Sequence, residues 1–164
     1  MLKEKLIAYF RSGETLHEHF KVGAAFEHVI IKKGDMKTVP FRGPEGMESL
    51  LGELKEKGWQ TYLNTSTGVE KEGTIITVEP GCKLKVSIKK TSDIKEIDRI
   101  YLEFLKDLFP LLKKRNQYML AVGYHPASKI EEIEDSFDQR YQHVSQYLKD
   151  KGQYALNMLK GTVS

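Results

Sequence analysis

Two short runs with a strict period of two, Thr74 to Glu79 and Cys82 to Ile88, meet at Glu79-Pro80-Gly81-Cys82, and this pair constrains the chain most. Alternation places successive side chains on opposite sides of an extended strand. A connection this tight predicts antiparallel pairing, with Pro80 and Gly81 as either a turn or a bulge. Any fold built around it has one sheet face to bury and another to leave polar. Phe20 to Ile31 and the more apolar Tyr118 to Tyr124 predict two further strands.

Helical spacing fills the intervals. Leu2, Leu6, Ile7 and Phe10 share a face before Gly13, and Met47, Leu50, Leu51 and Leu54 repeat the pattern before Gly58. A longer helix is expected from Ser92-Asp93, with Glu96 placed to complete a capping box. It turns Ile94, Ile97, Tyr101, Phe104, Leu105, Leu108 and Leu112 inward, and Pro110 either kinks it or ends it early. Short polar helices follow at roughly 138 to 150 and 153 to 160, parted by Gly152. With 164 residues and no internal repeat or low-complexity linker, the expectation is one domain over 1–164. Its class is α+β, a mainly antiparallel sheet with helices packed on one side.

Charge and cysteine usage narrow the function classes. The 26 basic and 23 acidic residues are spread along the chain and leave a net charge of +3, which reads as a solvated surface and argues against nucleic acid. Cys82 is the only cysteine, so neither an internal disulfide nor a multi-cysteine metal site can form, and a reducing cytoplasm fits. No apolar run has the length of a membrane span, so no membrane association is expected. His17, His19, His28, His125 and His143 lack zinc-type spacing. His28, on an apolar strand face, reads as a packed side chain, and Cys82 as buried rather than nucleophilic. Glycine-rich phosphate loops are absent from the sequence.

The strand faces hold the candidate chemistry. In the first strand Phe20, Val22, Ala24 and Phe26 share the side expected to be core, while Gly23, Ala25, Glu27 and Val29 share the other. After the turn, Cys82, Leu84, Val86 and Ile88 alternate with Lys83, Lys85 and Ser87. If both polar sides belong to one side of one sheet, Glu27 and Glu79 look toward Lys83 and Lys85. The plainer alternative is a surface carboxylate and solvated lysines.

Several motifs extend this reading. The chain carries Tyr9-Phe-Arg-Ser-Gly-Glu14, Gly23-Ala-Ala-Phe-Glu27, Glu79-Pro-Gly-Cys-Lys-Leu-Lys-Val-Ser87, Gly123-Tyr-His-Pro126, Arg140-Tyr-Gln-His-Val144 and Met158-Leu-Lys-Gly-Thr-Val-Ser164. In order and spacing these resemble the N-terminal part of glutamate–cysteine ligases of the plant and bacterial type. That family has Gly-x-Glu-x-Glu, Glu-Pro-Gly-(Gly/Ser)-Gln-x-Glu-x-Ser, Arg-Tyr-x-x-Met and Met-Met-x-x-Thr-Ala-Ser at the corresponding places. The resemblance implies a curved, funnel-like antiparallel sheet shared with glutamine synthetase, here covering less than half of a typical family member. It also implies ATP-dependent phosphorylation of the glutamate γ-carboxylate and its capture by the cysteine amine, a step of glutathione biosynthesis. Clustered glutamates would hold magnesium against the nucleotide phosphates, because a hard dication must offset phosphoryl repulsion.

The departures fall on those residues. Ala25 stands where the first glutamate of Gly-x-Glu-x-Glu belongs, Lys83 replaces the glutamine, Lys85 replaces a second glutamate, and Asp138-Gln139 replaces the usual Pro-Lys before Arg140. Glu27 and Glu79 are then the remaining metal-ligand candidates, and Lys83, Lys85, Ser87 and Arg140 the substrate-binding ones. No residue is assigned as catalytic. Lys85 either fills the place of the lost metal and pairs with Glu27 or Glu79, or points into water.

Three functions follow. The first is a catalytically silent or impaired relative of the ligase, a pseudoenzyme acting as a binding, regulatory or scaffold module with no cofactor. It would work as a homo-oligomer or with a protein supplying the missing half. The second is a working ligase using Mg²⁺ and ATP, alone or as one piece of a split enzyme. The third is a metal-independent binder of a small anionic molecule through Lys83, Lys85, Lys89 and Lys90.

Overall fold

The computed structural model describes residues 2–134 and 139–162, with the side chains of Gln139, Arg140 and Leu156 outside the description. Helix α1 (Leu2–Ser12) and a 3-10 turn at His17–His19 lead into the long strand β1 (Val22–Lys32). Helix α2 (Met47–Glu56) precedes strands β2 (Gln60–Thr61), β3 (Gly68–Lys71), β4 (Thr74–Glu79) and β5 (Lys83–Thr91). Helix α3 (Ile94–Lys114), strand β6 (Gln117–Leu120), a turn at Ile130–Glu132, α4 (Gln139–Lys149) and α5 (Gln153–Gly161) complete the order. Every strand pairs antiparallel with its neighbours, in the order β2-β3-β4-β5-β1-β6. The protein is therefore α+β around an open antiparallel sheet.

One sheet face is dry. Ile30, Ile76, Val78, Leu84, Val86 and Ile88 meet Met47, Leu50, Leu51 and Leu54 of α2 and Ile97, Ile100, Phe104 and Leu108 of α3 in a single core. The period of 3.6 in both helices and of two in the strands brings these sets together. Since β5 and β6 flank β1 on opposite sides and both run antiparallel to it, α3 is the crossover joining two like-oriented strands. The helix starts where Ser92-Asp93 predicts, and Pro110 sits inside α3, which continues to Lys114, so the proline does not end it early. Asp93 caps it by accepting from the Lys95 backbone N–H at 2.9 Å, while Glu96 binds Arg99 instead of closing a capping box. Ile94, expected inside, is 72 % exposed because it precedes the first turn that reaches the sheet.

Three expectations about layers need correction. The helices are not confined to one side: α2 and α3 cover one face, whereas α4 and α5 lie against one end of the other, where Tyr141 reaches Glu79 and the Lys83 ammonium reaches the Leu159 carbonyl. Gly81 shows how closely they approach. A Cβ there would stand 2.2 Å from the Lys160 carbonyl oxygen, and its φ of +82° also favours glycine. Second, Phe20 and Val22 are exposed, because the start of β1 projects beyond the helices, and Phe26 is left partly exposed although its ring packs on Tyr101 of α3 at 4.7 Å. Only Ala24 of that set packs on the core. Third, α1 buries no residue, so its apolar stripe faces outward.

Strand β6 is shorter than Tyr118 to Tyr124. After Leu120 the chain leaves the sheet edge: Tyr124 bridges to Thr162, and the His125 N–H donates to the Gly161 carbonyl at 3.0 Å.

Candidate functional site

The polar face of the sheet is set by register. Glu27 on β1 stands opposite Lys85 on β5, which stands opposite Thr77 on β4. One step along, Val29, Lys83 and Glu79 form the next row. Period-two alternation fixes all of these side chains on the side away from α3. The bulge between Val22 and Ala24 shifts the pairing with β5 only outside these rows.

Glu27 sits between two ammonium groups. Its Oε1 is 3.4 Å from Lys85 Nζ and its Oε2 is 4.0 Å from Lys83 Nζ, with only 9 % of the carboxylate side chain exposed. The Lys85 side chain keeps 34 % of its surface in water and Lys83 only 9 %. Burial lowers the Lys83 pKa, against the pull of Glu27 and Glu79 and together with the repulsion of Lys85. The cost of burying that ammonium is offset by carbonyl acceptors: Lys83 donates to Leu159 at 3.4 Å and to Thr162 at the C-terminal end of α5. The negative end of the helix dipole suits a cation there.

Glu79 is held separately. Its Oε1 accepts from the Thr77 hydroxyl at 2.7 Å and its Oε2 from the Tyr141 hydroxyl of α4. Because β5 lies between β1 and β4, the backbones of Glu27 and Glu79 are roughly 10 Å apart across the strands and one row apart along them, with Lys83 and Lys85 on the strand between. The two carboxylates are held differently: Glu27 faces Lys83 and Lys85, Glu79 the Thr77 and Tyr141 hydroxyls. Among the described residues no group of three or more His, Cys, Asp or Glu is arranged to hold a metal ion.

The sequence candidates are therefore only partly brought together. Glu27, Lys83 and Lys85 form one cluster, Glu79 borders it, and Ser87 lies in the next row opposite Ala25 and Ile75. Arg140 has its side chain outside the described residues. The Lys83 ammonium is engaged by the Leu159 and Thr162 carbonyls and by Glu27, which gives it a structural role at this end of the sheet. Of the four lysines of the expected anion pocket, Lys89 packs on Gly73 and lines a cleft toward α3. Sequence reading missed Thr77 and Tyr141. Thr77 was visible in principle, being two residues before Glu79 on the same strand face, whereas Tyr141 was marked only as part of the Arg140-Tyr motif, with nothing to tie it to Glu79, 62 positions away.

The buried groups outside this cluster behave as packed side chains. His28 bonds the Tyr101 hydroxyl at 2.7 Å, and burial lowers its pKa. Cys82, with φ +55°, is a free buried thiol, pushed up to about 12 by burial and by Glu134. A thiol so rarely ionised is a poor nucleophile.

On the α3 side a cleft of about 420 Å³ is lined by Trp59, Lys71, Lys89, Arg99, Lys106 and Asp107 among others. Asp107 accepts from the Trp59 indole at 3.0 Å and from Lys71 at 2.9 Å. No helix among the described residues is long and apolar enough to cross a membrane. No protein-family model matches the chain, and no curated protein matches it significantly.

Proposed function

We propose that the chain is a catalytically silent relative of glutamate–cysteine ligase that acts as a binding or scaffold module without a metal. One observation carries this reading: the Glu27 carboxylate, which the motif resemblance makes a magnesium ligand, is held between the ammonium groups of Lys85 and Lys83. A magnesium ion needs several oxygen donors at about 2 Å. Here Ala25 offers none, Glu79 is across β5, and two cations stand where the dication would be repelled. The residues do not fit the metal, so no phosphoryl-transfer step is derived through it. What the arrangement does well is hold β1, β5 and the end of α5 in one charge-compensated unit, with internal lysines in the role that a dication plays in an active enzyme.

Mixing the protein with ATP, magnesium, glutamate and cysteine tests the reading, with phosphate release as the signal. No release above the protein-free rate is expected. Release that scales with protein concentration and disappears in Glu27→Gln would restore the working ligase.

A second reading keeps the small anionic ligand but moves it to the α3 cleft, because Lys89 and Lys106 line that cleft beside Trp59. Calorimetry with ATP in the absence of magnesium addresses it. Metal-independent binding that Lys89→Ala weakens supports this reading, and no heat at submillimolar ATP sinks it.

A further inference from the structure

Strand β1 is paired along its length on one side and along half its length on the other. Strand β5 contacts it from Val22 to Val29, but β6 covers only Val29 to Lys32. The β6 ladder is continued by the Lys33 N–H donating to the Asn116 carbonyl. Backbone groups alternate between the two sides of a strand, so residues in step with Lys33, namely Glu27, Ala25 and Gly23, aim N–H and C=O at the open edge. An edge of this length, with small residues at its centre and Phe20, Val22 and Phe26 exposed beside it, is a template for another strand even though the β5 pairing shifts register between Val22 and Ala24.

We propose that the occupant is a second copy of this chain, its β1 pairing antiparallel with the open half of β1 about a two-fold axis at Ala24. The sequence Lys21-Val22-Gly23-Ala24-Ala25-Phe26-Glu27 is self-complementary in that register. Lys21 faces Glu27, Val22 faces Phe26, Gly23 faces Ala25, and Ala24 meets itself. Opposite charges and apolar pairs directly across a ladder stabilise it, whereas like charges destabilise it. The pairing aligns Gly23, Ala25 and Glu27 with residues whose backbone groups also point outward, as hydrogen bonding requires.

Neighbouring registers are worse. A two-fold at Ala25 sets Lys21 against Val29, whose edge Leu120 already occupies, and sets Glu27 against Gly23. A two-fold at Gly23 sets Lys21 against Ala25 and loses the ion pair. The Ala24 register uses the whole open edge and stops where β6 begins. It is an isologous contact, the commonest kind in homodimers. It also brings a third cation, Lys21 of the second copy, to the Glu27 carboxylate, so the charge cluster on the polar face is completed across the interface. The pairing itself stands whether or not the functional reading above holds.

Sedimentation velocity from micromolar to submillimolar protein tests the proposal, with a concentration-dependent dimer expected. Ala24→Cys should crosslink to a disulfide dimer under mild oxidation, since residues facing across a non-hydrogen-bonded pair have Cα atoms about 4.5 Å apart. Ala25→Cys, offset by two residues from its own mate, should crosslink far more slowly. Ala25→Pro places proline at an edge N–H that no strand among the described residues pairs with, a position edge strands tolerate. It should abolish the dimer at an unchanged melting temperature. If that variant fails to fold, Lys21→Glu serves instead, because it sets glutamate against Glu27 and should weaken the dimer at least tenfold. A monomer at all concentrations overturns the proposal. So does a dimer that survives both substitutions, and so does faster crosslinking at residue 25 than at residue 24.

Discussion

The two faces of the sheet are built from the same strands by different physics. Toward α2 and α3, Ile76, Val78, Leu84, Val86 and Ile88 are closed over by apolar helix stripes, and non-directional burial holds the layers together. On the other face, Glu27, Lys83, Lys85 and Glu79 are joined by ion pairs and by hydrogen bonds to Thr77, Tyr141 and the end of α5. The first face tolerates a change of partner shape but not a loss of volume; the second depends on each donor meeting its acceptor. Stability should therefore reside mainly in the first, and the placement of the C-terminal helices in the second.

Phe104→Ala probes the first face where it is deepest, beside Trp59 and Tyr101. Removing a buried aromatic ring of this kind destabilises by about 3–5 kcal/mol, and urea unfolding should show it as a lower midpoint at constant slope. Lys83→Met probes the second. It keeps the apolar stem but strips the Leu159 and Thr162 carbonyls of their donor and removes one of the ammonium groups facing Glu27. The expected loss is about 1–3 kcal/mol, and proteolysis should reach α4 and α5 before the sheet. If Lys83→Met costs as much as Phe104→Ala, the division of labour between the faces is wrong.

The same contrast explains what could be read in the sequence. Period two located β4 at Thr74–Glu79 and most of β5, and helical spacing located α2 with its four buried residues and most of the buried face of α3, because burial of one face imposes a local pattern. The short strands β2 and β3 carry too few residues to show a period. The exposed start of β1 defeated the core assignment of Phe20, Val22 and Phe26, since alternation reports which side a residue is on but not whether anything covers that side. The Glu27–Lys85 pair was legible as a cross-face option. Tyr141 and the α5 carbonyls were not, because they reach the site through tertiary closure and leave no signal near Glu79 or Lys83. Arg115 was missed for a similar reason: it is buried and donates to the Pro44 and Gly46 carbonyls and to Ser49, contacts that belong to a loop far away in sequence.

Acid should expose a weakness on the helix side before the polar face. Burial holds the His28 pKa below its ordinary value, despite a backbone hydrogen bond at Leu84 and the charge of Glu27, and burial lowers that of His125 as well. Between the lowered native values and the unfolded value near 6.5, the unfolded chain binds protons that the native chain does not. Stability therefore rises with pH through that window, is full above it, and is lost as pH falls through it. Urea midpoints at neutral pH and at about pH 5 should differ by less than the Phe104→Ala effect. His28→Gln, which can still bond Tyr101, should flatten part of the difference. An unchanged slope in that variant would assign the acid sensitivity to His125 or to the carboxylates.

The smallest effect bears most directly on function. Lys85 retains a third of its surface in water and its ammonium is 3.4 Å from Glu27, so solvent screens the pair and Lys85→Ala should cost no more than about 1 kcal/mol. The comparison that matters is with an exposed lysine such as Lys55, whose replacement should be close to neutral. A measurable difference between the two means that Lys85 compensates Glu27 and that the polar face has become self-sufficient in charge. Equality between them would mean that Lys85 is not a structural counter-ion of Glu27, unlike Lys83. The Lys85 ammonium would then be available to a ligand, which shifts the reading of this face from an internally neutralised remnant toward an anion-binding surface.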